Sequence, residues 1–173
     1  KVELGLASLR ELLDSLRSKD GMTRVNALAS LDRVFPEWPS SAEADPSVPA
    51  FVVAMVRGED RVRQMAERVL ERIDPHWERR PDLGEVIPVL VSALGSFESG
   101  VRLASEKAVV RLGARAVDGC IAALKDSLYL KRVGAARVLG SIGAESPAAI
   151  AGLAAALADT DKDVKSAAAE ALG

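Results

Sequence analysis

One spacing returns five times along the chain, and it restricts the fold more than any other feature. With a basic residue as position 0, a small residue follows at 3 and an apolar one at 7. The sets are Arg24, Ala27 and Leu31; Arg63, Ala66 and Leu70; Arg102, Ser105 and Val109; Arg132, Ala135 and Leu139; and Lys165, Ala168 and Leu172. Successive units are offset by 39, 39, 30 and 33 residues, a period that belongs to repeat architectures rather than to a single core. Three positions further on, the first four units carry Val34, Ile73, Leu112 and Ile142. Steps of three, four and seven place all these side chains on one face of a helix.

A second helix precedes each of these. Eight residues before the basic residue stand Leu16, Met55, Leu94, Leu124 and Leu157, and fifteen before stand Leu9, Val48, Ile87, Val117 and Ile150, again one helical face. Short polar breaks separate the two helices. In four units an acid lies four residues before the basic residue, Asp20, Glu59, Glu98 and Asp161, where it can cap free N–H groups at the start of the second helix. Unit four has Leu128 there and Lys131 in place of a valine, which predicts an irregular start to its second helix. Each unit is thus a helical hairpin with apolar faces too large for one pair to bury, and stacking neighbouring hairpins is the remedy. The small residue at position 3 lets helices approach; a leucine there costs about 1–3 kcal/mol by overpacking.

Composition agrees with an ordered chain: of 173 residues, 49% are hydrophobic and 28% charged, enough apolar surface to fold. A net charge of −2 gives no general attraction to nucleic acid or to an anionic membrane. Ser146 to Ala158, 13 residues, is the longest uncharged stretch, against the roughly 20 that span a bilayer. One cysteine and one histidine leave no internal disulfide and no histidine-rich metal site, and they point to a reducing, cytoplasmic location. Cys120 falls on the apolar row of Leu12, Phe51, Leu90 and Leu153 and reads as core. The chain opens on Lys1, and its last helix stops before its apolar pattern is complete, so a fragment of a longer protein is expected.

The unit resembles a HEAT repeat, in the short bacterial form also found in phycobilisome-lyase-type proteins. The stretches ALADTDKDVKSAAAEALG and ALGSFESGVRLASEKAVVRLG carry the resemblance through a leucine, an acidic turn, Val-Arg, an Ala-rich helix and Leu-Gly. It implies an all-α fold, a right-handed α-solenoid of five HEAT-like helical hairpins in one array over residues 1–173. The repeats fall at about 1–35, 47–74, 84–113, 114–143 and 146–173. It also implies that the basic row forms an Asp/Arg ladder along the interior of the array, and a non-enzymatic scaffold that binds a protein or peptide partner on the concave face. Two alternatives from other classes are a bilin-lyase-like chaperone or enzyme and a HEAT-like nucleic-acid-binding protein or DNA glycosylase. Another HEAT-like enzyme, deoxyhypusine hydroxylase, needs several His-Glu pairs for its iron, and His76 stands alone.

No Gly-Lys dipeptide, G-x-G-x-x-G or G-x-S-x-G occurs, so nucleotide-binding loops and a nucleophile elbow have no support. No catalytic residue, cofactor or metal is assigned. The candidate partner-binding residues are cations on the second helices: Arg68, Lys107 and Arg137 in one row, and Arg33, Arg72 and Arg111 four positions on. Arg68 with Arg72, and Lys107 with Arg111, are like charges at i,i+4, which costs a few tenths of a kcal/mol unless acids such as Glu67, Glu71 and Glu106, or an acidic ligand, offset it. Trp38 and Trp77 align at the 39-residue offset in the long connectors. They are read as lids between hairpins with the indole N–H on a carbonyl, or alternatively as exposed aromatic anchors for a partner. The apolar face of the last hairpin offers a route to self-association.

Overall fold

The computed structural model of the chain describes residues 2–143 and 146–173, with side chains from Leu9 onward. Among the described residues there are ten α-helices and no strand. They pair as α1 (Val2–Ser15) with α2 (Gly21–Val34), α3 (Val48–Arg57) with α4 (Asp60–Ile73), α5 (Val86–Ala93) with α6 (Ser99–Leu112), α7 (Val117–Ala123) with α8 (Tyr129–Ile142), and α9 (Pro147–Ala156) with α10 (Lys162–Leu172). Each pair packs together as a hairpin, so the fold is all-α and of the α-solenoid kind.

Every second helix begins three residues before its basic residue, and turn chemistry explains the common register. Six positions before that residue, Ser18, Ser96, Asp126 and Asp159 each accept from the backbone N–H two residues on, at 3.1, 3.2, 3.0 and 2.9 Å. This local bond closes the turn. Asp20 then caps α2 by accepting from the Thr23 N–H, and Asp161 caps α10 by accepting from the Asp163 and Val164 N–H groups. Glu59 and Glu98 occupy the cap position without a side-chain bond. The irregular start expected of the fourth second helix does not occur. Leu128 is extended at the cap position of α8, and Asp126 sets the turn while pairing with Lys131 at 2.8 Å.

The basic row closes the same turns. Arg24, Arg63, Arg102 and Arg132 donate through Nη1 to carbonyls five or six residues earlier: those of Ser18 and Lys19, of Gly58, of Ser96 and Phe97, and of Asp126 and Ser127. These carbonyls are left free where the first helix ends. The expected Asp/Arg ladder is therefore mostly replaced by arginine-to-carbonyl bonds. Among the described residues one cross-repeat pair of this row remains, in which Asp159 takes Arg132 Nε and Nη2, both at 2.8 Å.

Contacts divide the chain into two compact units, Lys1–Asp82 and Leu83–Gly173. In the first, Leu16, Leu31, Phe51, Val52 and Leu70 are buried, with both tryptophans. Its connectors are bound together by Arg80, whose Nη1 donates to Asp45 at 2.6 Å and whose Nη2 donates to Asp82 at 2.9 Å.

In the second unit, α8 packs against α6 on one side and α10 on the other, and α7 packs against α5 and α9. Helices come close where small residues stand, both between neighbouring second helices and between a first helix and a second one. A Cβ on Gly140 would lie 2.8 Å from the Ala171 Cα, and one on Gly134 would lie 3.0 Å from the Leu94 Cβ. Ala135 and Ala168 are fully buried, and Ser105 is accommodated by donating to the Leu90 carbonyl. Cys120 is fully buried, and burial pushes its thiol up to about 12.

Candidate partner-binding face

Each second helix turns one face inward and leaves the other to solvent. The six candidate cations, Arg33, Arg68, Arg72, Lys107, Arg111 and Arg137, are all exposed, but they differ in what they touch. Arg72 donates to Asp32 at 2.8 Å and lies 4.7 Å over the Trp38 ring, so it serves the first unit's own packing. Arg137 is 3.9 Å from Glu106. Burial raises the Glu106 carboxyl above its ordinary value, while Arg137 and Arg102 pull it down. Arg68 has only a long bond to the Gln64 carbonyl, 3.4 Å. Among the described residues, Arg33 and Lys107 meet no acid, and Glu67 and Glu71 form no ion pair. Asp32 thus pairs with Arg72, and Glu106 lies near Arg137 rather than the Lys107 and Arg111 pair.

Both tryptophans are 1% exposed, which removes them as aromatic anchors; a buried indole cannot present its ring to a partner. The Trp38 N–H donates to the Asp32 carboxylate at 3.0 Å rather than to a carbonyl. Asp32 is held below the usual carboxylate range by Arg72 and then by Trp38.

Arg61 and Arg68 of α4 border a groove of about 530 Å3 shared with Met22 and Val25 of α2. Met22 and Val25 are 66% and 57% exposed, while Met65 beneath them is 6% exposed. Arg24 and Asp20 complete the charged lining. A second groove, about 500 Å3, lies along α5 and α7 over Ile87, Val91 and Gly119. Its polar rim includes Asp126 and Lys131, already paired with each other.

His76 is exposed, with Nδ1 3.8 Å from Glu78. The buried, protonated Cys120 thiol is not a nucleophile at neutral pH. Among the described residues no three His, Cys, Asp or Glu side chains group to hold a metal ion, and no helix is long and apolar enough to cross a membrane.

Comparison with known proteins matches residues 87–173 to the family model described as HEAT repeats. No curated protein matches the chain. Among solved structures, three crystal structures of engineered proteins from the Northeast Structural Genomics Consortium are similar. One is 20% identical, covering 95% of this chain and 77% of that one, with a TM-score of 0.48. Another is 19% identical over 94% and 78%, at 0.45, and a third is 20% identical over 95% and 46%, at 0.40.

Proposed function

The chain belongs to the HEAT-repeat family, and from that premise we propose that it is a non-enzymatic scaffold binding a protein or peptide along the exposed face of its second helices. One observation carries this reading: the basic residues of the second helices fall into two groups that serve different ends. Arg24, Arg63, Arg102 and Arg132 close hairpin turns. Arg33, Arg68 and Lys107 project into solvent and serve no turn, cap or ion pair among the described residues. Exposed cations without an internal role are what an acidic partner surface would meet.

The reading places the protein in the cytoplasm with no cofactor, consistent with its one buried thiol. The test is capture of partners from an extract of the source organism by the wild-type chain and by the triple variant Arg33→Glu, Arg68→Glu, Lys107→Glu. A partner retained by wild type and lost by a folded variant is the expected result. Equal capture by both removes the second-helix face from the proposal.

A second copy of the chain is a further proposed partner, seated on the last hairpin. Ile150, Leu157 and Leu172 are 47%, 44% and 40% exposed, and the uncharged run from Ser146 to Ala158 sets no like charges against each other when α9 faces α9. Sedimentation that rises with concentration, and stops rising in Leu157→Lys, is expected. A monomer at all concentrations removes this partner.

A further inference from the structure

The groove between α2 and α4 combines two chemistries that a general basic ridge lacks, and we infer that it takes an extended acidic peptide with two carboxylates three residues apart and an apolar side chain between them. The inference rests on the second-helix face being the binding face, and it adds the site and the partner's sequence character.

Charge is the first argument. Arg24, Arg61 and Arg68 line the groove against Asp20 alone, three positive charges to one negative. Asp20 is already occupied, accepting from the Thr23 N–H and hydroxyl. Arg24 is 4% exposed and committed to two carbonyls, so its field remains but its reach does not. Arg61 meets no acid among the described residues, and Arg68 has only its long carbonyl bond. These two guanidiniums are therefore the ones available to carboxylates.

Spacing is the second argument. Arg61 and Arg68 are seven residues apart on one helix, about 10.5 Å along its axis. A peptide in the extended polyproline-II form rises about 9 Å in one three-residue turn, so that side chains at i and i+3 share a face, which sets the separation of the two carboxylates. Gly21 keeps the floor low at the Arg61 end: an added Cβ would stand 3.5 Å from Arg24 Nη2 and 4.0 Å from Arg61 Nη1.

Apolar surface is the third. Met22 and Val25 lie three residues apart on α2, more than half exposed, with Met65 below. Flexible methionines accept varied side chains, and they explain why a peptide fits better than a nucleic-acid backbone. Phosphates would satisfy the arginines but leave this surface open to water.

The test uses fluorescence anisotropy of the whole chain with the fluorescein-labelled peptide Ser-Gly-Glu-Ser-Leu-Glu-Ser-Gly-Gly. It is run beside a form with Ser for Leu and a form with Gln for both Glu residues. Saturable binding is expected, weakened about tenfold by Arg61→Glu with Arg68→Glu and by loss of the glutamates. It is also expected to weaken in Met22→Ser, in the Leu-free peptide and with added salt. All three substituted residues are on the surface, and circular dichroism checks that the variants fold. Unchanged affinity in the arginine double variant, no binding of the glutamate peptide, or displacement by a single-stranded oligonucleotide would each overturn the groove. If the groove variants bind normally while Arg33→Glu with Lys107→Glu do not, the groove fails and the wider face stands. If extract partners are lost in neither set, the face itself fails.

Discussion

Arg72 and Asp32, 40 residues apart in sequence, form a 2.8 Å ion pair that holds the Arg72 guanidinium over the Trp38 ring. The Trp38 N–H donates to the same carboxylate oxygen, so one acid orients both a cation and an indole. The pair joins α4 to α2 in the first unit and gives the first connector its structural role.

Trp38→Ala is expected to cost about 3–5 kcal/mol, as for other buried aromatic side chains. Asp32→Ala should cost about 1 kcal/mol, because the ion pair is 40–46% exposed and screened by solvent. Urea denaturation of both variants checks the ranking. An Asp32→Ala effect as large as that of Trp38→Ala would mean the carboxylate, not the indole, holds the connector.

Acid should weaken the fold in a defined window. Asp32, Asp45, Asp82, Asp126 and Asp159 are all held below the ordinary carboxylate value, chiefly by hydrogen bonds from Arg72, Arg80, Arg80, Lys131 and Arg132 respectively. Each contributes stability that is complete above the unfolded value of about 3.9 and is lost as pH falls through the lower folded value. Glu106 acts with the opposite sign. Its raised folded value means its contribution is present below the unfolded value of about 4.3 and is lost as pH rises. Melting temperature should therefore be flat down to about pH 5 and fall below pH 4. Glu106→Gln should not be destabilised at pH 7 by more than about 0.5 kcal/mol. A melting temperature that is flat to pH 2 would contradict the aspartate pairings.

The turn-closing arginines should be intolerant of shortening. Arg24→Ala leaves two carbonyls without their donor in a site where the guanidinium was 4% exposed, and about 1–3 kcal/mol should be lost. Lys165, exposed in the same register of the last hairpin, should tolerate alanine within about 0.5 kcal/mol. Equal costs at the two positions, read by denaturant titration, would show that the row is not structural.

The same repeat position, seven residues after the basic residue, should differ in cost between hairpins. Leu139 of α8 is 1% exposed and Leu172 of α10 is 40% exposed. Leu139→Ala should cost about 2–5 kcal/mol, and Leu172→Ala well under half of that, since much of its surface is already in water. The comparison by thermal melting isolates stacking from hairpin formation.

Much of this fold was legible in the sequence, because periodicity reports which side chains share a face. The rows through Leu31, Leu70, Val109 and Leu139 are buried as their spacing requires, and Cys120 lies in the core as its row predicts. What periodicity does not report is which polar atom a long side chain finds. The resemblance implied an Asp/Arg ladder along the basic row, but Arg24, Arg63, Arg102 and Arg132 all reach turn carbonyls, and among the described residues Arg132 alone of them also takes an acid of the next repeat. The informative signal was the Ser or Asp six positions before the basic residue at Ser18, Ser96, Asp126 and Asp159, which closes the turn whether or not an acid follows. Asp126 also explains why Leu128 does not disturb α8. At the candidate face, six cations were visible as a pattern, but Asp32, far away in sequence, could not be seen to claim Arg72. Arg61 gained importance only once α2 and α4 were seen to share a groove.

Hydroxyl-radical footprinting of the chain bound to a captured partner tests the second-helix face most directly, because exposed apolar reporters stand on both kinds of helix. Met22, Leu103 and Tyr129 report on second helices at 66%, 55% and 40% exposure, and Ile150 reports on a first helix at 47%. Protection of Met22, Leu103 or Tyr129 with unchanged oxidation of Ile150 is the predicted result. Protection confined to Ile150 and the other first-helix side chains, with Met22, Leu103 and Tyr129 as reactive as in the free chain, would contradict it.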